Sequence, residues 1–452
     1  MKQNMITGNP ARSLIAFVLP LILGNMFQQF YSLADSMIVG KTLGQDCLAA
    51  VGSTSSICLV YVSIANGLGI GCSVVISQLF GARDYVKMKT AFNTAFTAIA
   101  GFTILALGIG VITGNGLIEL TNIPQHIVGD ARSYYFIYVA GFPGLFFYNI
   151  ANSGFNALGK SRMPLLFLLL SSVLNIGLDL WFILGFHWGV AGAAIATIIS
   201  QYLAAVLSFV LLLRYIRKNF RTEEKPQLFN SGILKTMGKV AVPSMITQSV
   251  VSVGFVALQS LVNGFGTDVM AGFVAACKID GIAVIPVVQA GNAMSTFTAQ
   301  NIGAGKIERV TKGFRAILAI DVVICVAFFL ILQFFKEPFV GLFMDASASE
   351  NAIRFGCDYL TIMACFYVVF GIMNSISGIL RGAGDAVPAM ISTLLNFGSR
   401  IAFAYIMVAL GGNEMIIAWS NAVGWGVGLI ISLTRFLTGK WKKKNLVAAQ
   451  ES

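Results

Sequence analysis

Seven ionisable side chains fall inside otherwise apolar runs of this sequence: Asp35, Asp179, Lys278, Asp280, Asp321, Asp358 and Arg400. A charge within a hydrocarbon layer is costly, so each marks an ion, proton or substrate site unless a partner explains it. Asn175 precedes Asp179 by four residues, which puts an amide and a carboxyl on one helical face. At a rise of ~1.5 Å per residue, Asp35, Asn175, Asp179 and Thr197 reach a similar depth, about two turns or less from the outer surface. Two carboxyls, an amide and a hydroxyl are hard oxygen donors suited to H+ or Na+, and two adjacent carboxyls can hold a proton between them. Each also has a plainer reading: a span-end aspartate can face a water-filled vestibule, and Thr197 can bond back to its own helix. Lys278 and Asp280, two residues apart, point to different faces, and an ion pair with Asp358 or Arg400 is as good an account of them as a substrate role. Asp321 has no identifiable partner. Beyond Na+ no metal is expected, and no cofactor.

The elements that position these groups follow from composition. Of 452 residues, 57% are hydrophobic and 11% charged, against roughly 25% charged in an average soluble chain. At roughly 20 residues per crossing, the chain holds about twelve transmembrane helices with little room for a soluble domain. Apolar windows place them near 13–40, 50–80, 90–113, 127–150, 163–184, 189–213, 240–262, 270–301, 313–334, 353–380, 387–410 and 415–437. The first run, carrying Asn25, Gln28, Gln29 and Asp35, is too long and too polar for a cleaved signal peptide and reads as a retained helix. Lys and Arg concentrate in the loops on the side of the N-terminus, with Lys41, Arg132, Lys336 and Arg354 on the other, so both termini are expected in the cytoplasm of a bacterial inner membrane. The net charge of +11 is therefore a topology signal with lipid contact, and nucleic acid is not an expected partner. The seven cysteines show no metal-ligand spacing, and the two histidines, His126 and His187, lie at span ends, so an enzyme is not expected.

The halves repeat at a shift of about 222 residues: Leu43-Gly44-Gln45-Asp46 matches Phe265-Gly266-Thr267-Asp268, and Gln78 to Ala82 matches Gln300 to Ala304. Six spans per half is an even number, so both halves enter the membrane alike, giving two pseudo-symmetric six-helix lobes suited to alternating access. The expected lobes are 1–215 and 239–438, joined by a cytoplasmic linker at 216–238 and followed by a basic tail at 439–452. Charge is not repeated: Asn175 and Asp179 correspond to Asn396 and Arg400, and Asp35 to Ala257. Pro20 and Pro243 fall at nearly matching places in the first and seventh helices, as hinge candidates or static kinks. Tyr31, Tyr138, Phe142, Met245, Gln248, Phe255, Lys278 and Arg400 are candidates for a substrate cavity, where aromatic and Met side chains offer pliable apolar surface and cation–π capacity.

Several ordered motifs carry a family resemblance over essentially the whole chain: Gln29-Phe30-Tyr31-Ser32-Leu33-Ala34-Asp35 with Val39-Gly40, Leu48-Ala49-Ala50-Val51-Gly52, Gly154 to Gly159, and Gly378-Ile379-Leu380-Arg381-Gly382-Ala383-Gly384-Asp385. The chain resembles the multidrug and toxic compound extrusion family, in its bacterial DinF-like and MepA-like branch. The resemblance implies two six-helix lobes in a V shape, functioning as a monomer and exporting amphipathic, often cationic, drugs and dyes in exchange for H+ or Na+. It implies ion loading at Asp35, Asn175 and Asp179, with Thr197 a looser match, and bending at Pro20 on protonation of Asp35. Leu180 departs from the proline many relatives carry after the helix-five aspartate. Gln248 and Gln259 stand in helix seven where another branch has a carboxylate, so that branch's second-lobe ion site does not carry over. The wider superfamily includes flippases of lipid-linked sugars, and Lys278 and Arg400 keep that alternative open.

Overall fold

The computed structural model describes residues 5–121, 123–344 and 349–446. With no water in a bilayer core, backbone donors and acceptors must be satisfied within each segment, and the chain answers with helices. The first half runs α1 (Pro10–Leu43), α2 (Gln45–Ala82), α3 (Tyr85–Leu120), α4 (Val128–Ala140), α5 (Phe142–Ala157), α6 (Arg162–Leu180) and α7 (Gly189–Asn219). The second runs α8 (Ser231–Asn263), α9 (Thr267–Ala283), α10 (Ile285–Gly303), α11 (Ile307–Gly341), α12 (Glu350–Gly382), α13 (Ala386–Ala409) and α14 (Ile416–Leu437). No strand occurs among the described residues. The chain is an all-α polytopic membrane protein.

Among the described residues, eleven segments are long and apolar enough to cross a membrane. The twelfth expected crossing, near 127–150, is divided into α4 and α5 at Gly141. Pro143 stands in the first turn of α5 and has no backbone N–H to continue the ladder, so the pieces, of 13 and 16 residues, are each shorter than a span. Pro286 divides α9 from α10 in the same way. Thus the second half breaks its second crossing and the first half its fourth. Side chains such as Ile112 and Phe334 stand fully outward on α3 and α11, as surfaces in acyl chains do.

The repeat survives at the level of single turns. Gly44 and Gly266 enter α2 and α9 with φ of 92° and 99°, a conformation that costs only a glycine nothing. Gly69 in α2 packs on Ser153 of α5, and its counterpart Gly291 in α10 packs on α12, where an added Cβ would lie 2.8 Å from the Asn374 carbonyl oxygen. Small residues here let backbones approach closely.

By contact the chain divides into two compact units, Leu19–Met245 and the residues up to Val18 together with those from Ile246 onward. In the first, α5 packs against α2, α3 and α7, α4 against the same three helices, and α6 against α7. In the second, α12 is central and touches α9, α10, α11, α13 and α14. The division does not fall in the 216–238 segment. That segment is tied to α3: the backbone amides of Gln227 and Asn230 donate to Thr90 and Thr94 at 3.1 and 3.0 Å. The start of α1 is held in the second unit, where Asn301, Lys306 and Arg309 donate to carbonyls of Met5, Ile6 and Gly8. The start of α8 belongs to the first unit, with Ala241 and Met245 packed at Gly71 and Gly67. Each helix passes from one unit to the other within a few residues of its proline, Pro20 or Pro243.

Candidate functional site

The outer part of α1 is fixed in the first unit by Val39, which is buried among Val51, Tyr134, Ile183 and Val190. One turn nearer the N-terminus the same helix presents Asp35, and a further turn back Tyr31. Opposite them stand Asn175 and Asp179 of α6, 1% and 0% exposed, and Thr197 of α7. These residues, of similar depth along their helices, are brought together by the packing of α1, α6 and α7.

Asn175 is the hub. Oriented to satisfy its surroundings, its amide nitrogen donates to Asp179 Oδ2 at 2.9 Å and to the Tyr31 hydroxyl at 2.8 Å, and its oxygen accepts from the Thr197 backbone amide at 3.1 Å. Both amide protons and the carbonyl are thus used, which locks its rotamer. The Tyr31 hydroxyl also bonds the Thr197 side chain. Thr197 Oγ1 lies 3.0 Å from the Ala193 carbonyl oxygen of its own helix, the back-bond open from sequence.

The side chains of Asp35 and Asp179 lie next to each other. Ionised carboxylates only accept, so a hydrogen bond between the two would need a proton on one of them. Oδ1 of each is buried and has no hydrogen-bond partner among the described residues. A proton or a small hard cation would satisfy those oxygens, with Tyr31 and Thr197 offering further oxygens. No group of three or more His, Cys, Asp or Glu able to hold a metal is found among the described residues.

Immediately after Asp179 the helix widens into a π turn, Trp181–Gly185. Such turns leave carbonyls less strictly paired and recur at functional sites. The sequence signal was only Leu180 in place of proline. Tyr134, buried beside Asp35 and Tyr138, and Gln201, bonded to Tyr138, belong to the surroundings of the cluster and carried no motif.

The cavity candidates separate. Tyr31 belongs to the cluster itself, and Tyr138 stacks on Tyr134 with ring centroids 6.2 Å apart. Phe142 is fully buried, its ring 4.3 Å from that of Tyr61, so it packs the first unit's interior and does not line open space. Met245 belongs to the first unit, and Gln248, Phe255, Lys278 and Arg400 to the second. There Arg400 is 4% exposed, with the rings of Phe255 and Phe397 each 5.6 Å from its guanidinium carbon. Its Nε has no partner among the described residues. Asp280 lies within electrostatic reach of Arg400 and accepts a hydrogen bond from the Tyr367 hydroxyl at 2.7 Å. Lys278 points away to an exposed face over Phe343. Asp358 sits in the third turn of α12, half exposed, and pairs with Arg354 of its own helix at 3.9 Å, so it does not bridge helices. Asp321 does have a partner, Ser375 of α12, whose hydroxyl donates to Oδ2 at 2.8 Å.

The MatE family description matches residues 20–181 and 243–406 of this chain. Among similar proteins, the probable multidrug resistance protein YpnP of Bacillus subtilis is 30% identical over 446 residues, 97% of either chain. The FAD transporter of Shewanella oneidensis is 25% identical over 380 residues, 82% of either chain. Among solved structures, a MOP superfamily transporter from Pyrococcus furiosus superposes with a TM-score of 0.85 at 25% identity, covering 96% of this chain and 98% of that one. It is described as having a binding pocket of reverse polarity that suggests a different function.

Proposed function

This chain belongs to the multidrug and toxic compound extrusion family, and we propose that it exports amphipathic, often cationic, small molecules from a bacterial cell by antiport against H+ or Na+. Both termini are placed in the cytoplasm on the charge bias of the loops. The observation that carries the coupling reading is the buried side-by-side placement of Asp35 and Asp179, with one buried oxygen on each that no donor among the described residues satisfies.

In this reading the external solution loads the cation onto that pair. Asn175 positions the Asp179 carboxyl and the Tyr31 hydroxyl, so uptake at Asp35 is felt on α1 and α6 together. Mutual exclusion of cation and drug supplies the coupling, since each ligand changes the other's affinity by the same factor. The proline of α1 beside the change of unit is where bending would meet least backbone resistance.

A second reading, an anionic or lipid-linked substrate, is favoured by the buried Arg400 with its unpartnered Nε. Two relatives bear on it: one is named an FAD transporter, and the other is described as having reversed pocket polarity.

Efflux of a fluorescent organic cation from proteoliposomes under an imposed H+ or Na+ gradient tests the first reading. One gradient should drive efflux in the wild type and neither in Asp35→Asn. If neither gradient drives any of several dyes, the cation-export reading fails and anionic substrates are tested next.

A further inference from the structure

Asp321 lies in the interior of α11, 2% exposed, on the face turned to α10 and α12. Its Oδ2 accepts the Ser375 hydroxyl, and its Oδ1 is buried with no hydrogen-bond partner among the described residues. One neutral hydroxyl does not compensate a carboxylate at membrane depth, and a buried charge without a counter-charge is strongly destabilising.

The helices against α11 supply no counter-charge in contact. α10 carries no titratable side chain. α12 presents Ser375 and Tyr367. α9 presents Asp280, already bonded to Tyr367 and within reach of Arg400. α11 itself adds Cys325, one turn beyond Asp321 and within electrostatic reach of both Asp321 and Tyr367. The side chains around Asp321 thus offer too few oxygens for the six or so that a hard metal cation takes, whereas a proton needs one. We propose that Asp321 is a second exchangeable proton site, lying in the second unit and separate from the acidic pair of the first.

Asp280, which is partly exposed, is bonded to Tyr367, and Cys325 is the titratable group within electrostatic reach of both Tyr367 and Asp321. Ser375 holds the Asp321 carboxyl in place. The inference does not depend on which ion the first unit loads, nor on the substrate exported.

Infrared difference spectroscopy of the purified full-length protein in lipid, titrated from acidic to alkaline buffer, tests it. Measuring in the Asp35→Asn, Asp179→Asn double variant removes the first unit's carboxyls, so failure of the antiport reading leaves this result unaffected. A carboxylic-acid C=O band should disappear as the buffer becomes alkaline and be missing throughout in Asp321→Asn. Ser375→Ala, which removes the one hydrogen bond to that carboxyl, should shift the band's frequency; this arm stands alone if Asp321→Asn does not fold. A spectrum unchanged by Asp321→Asn means the group is always ionised, and a band that persists at every pH means a fixed structural acid. A band unmoved by Ser375→Ala means that another group gives rise to it. Any of these three results overturns the proposal.

Discussion

Asn175 and Asp179 of α6 correspond in the repeat to Asn396 and Arg400 of α13, and the two pairs differ in every contact they make. In the first unit the amide nitrogen reaches a carboxylate and a tyrosine hydroxyl. In the second, Asn396 Nδ2 reaches the Met373 sulfur at 3.8 Å, and the cation four residues on lies between two aromatic rings. Duplication preserved the inward-facing pair of positions four residues apart. The neighbouring helix decided the chemistry: α1 offers Tyr31 and Asp35, whereas α8 offers Phe255 and, opposite Asp35, Ala257. A polar pair inside a bundle is therefore specified by its partners more than by its own helix.

The largest effect should come from breaking the second pair. Arg400→Met removes the cation within electrostatic reach of Asp280 and should lower the thermal midpoint in detergent. Adding Asp280→Asn should restore most of it. If that double variant still exports cationic dyes, Arg400 is structural; if it fails only with anionic substrates, the second reading gains. Next, Asp35→Asn should bring gradient-driven dye efflux down to the level of protein-free liposomes. Equal loss in Arg400→Met/Asp280→Asn would erase the distinction between the units. Asn175→Ala strands Asp179 Oδ2 and leaves the Tyr31 hydroxyl only its Thr197 partner, so about 1–3 kcal/mol of stability should go, together with slower efflux, while Asn396→Ala, whose amide meets only a thioether, should cost less in both assays. The smallest effect sharpens the symmetry itself. Gly44→Ala and Gly266→Ala should each cost at least about 1 kcal/mol, and unequal losses would show that the matched turns are loaded differently.

Much of the candidate site was legible because membrane burial makes charge rare: a short list of intramembrane residues and a rise per turn sufficed to gather Asp35, Asn175, Asp179 and Thr197. The partners of Asp280 and Asp321 were not legible. Tyr367 and Ser375 are common residues in an apolar run, and nothing in their spacing says which helix they face. Phe142 reads from sequence like any cavity aromatic, and only packing against Tyr61 shows it to be interior.

The sequence by itself determined the membrane class, the crossings apart from the two that are broken, the repeat and the set of costly charges, because each follows from local hydrophobicity and spacing. Only the tertiary structure decided that Pro143 and Pro286 break different crossings of the two halves, since a proline's cost depends on what re-satisfies the freed carbonyls. It alone assigned the starts of α1 and α8 to the opposite units and gave each buried polar group its partner. Those outcomes rest on contacts between residues far apart in the chain, for which the order of amino acids along one helix carries no signal.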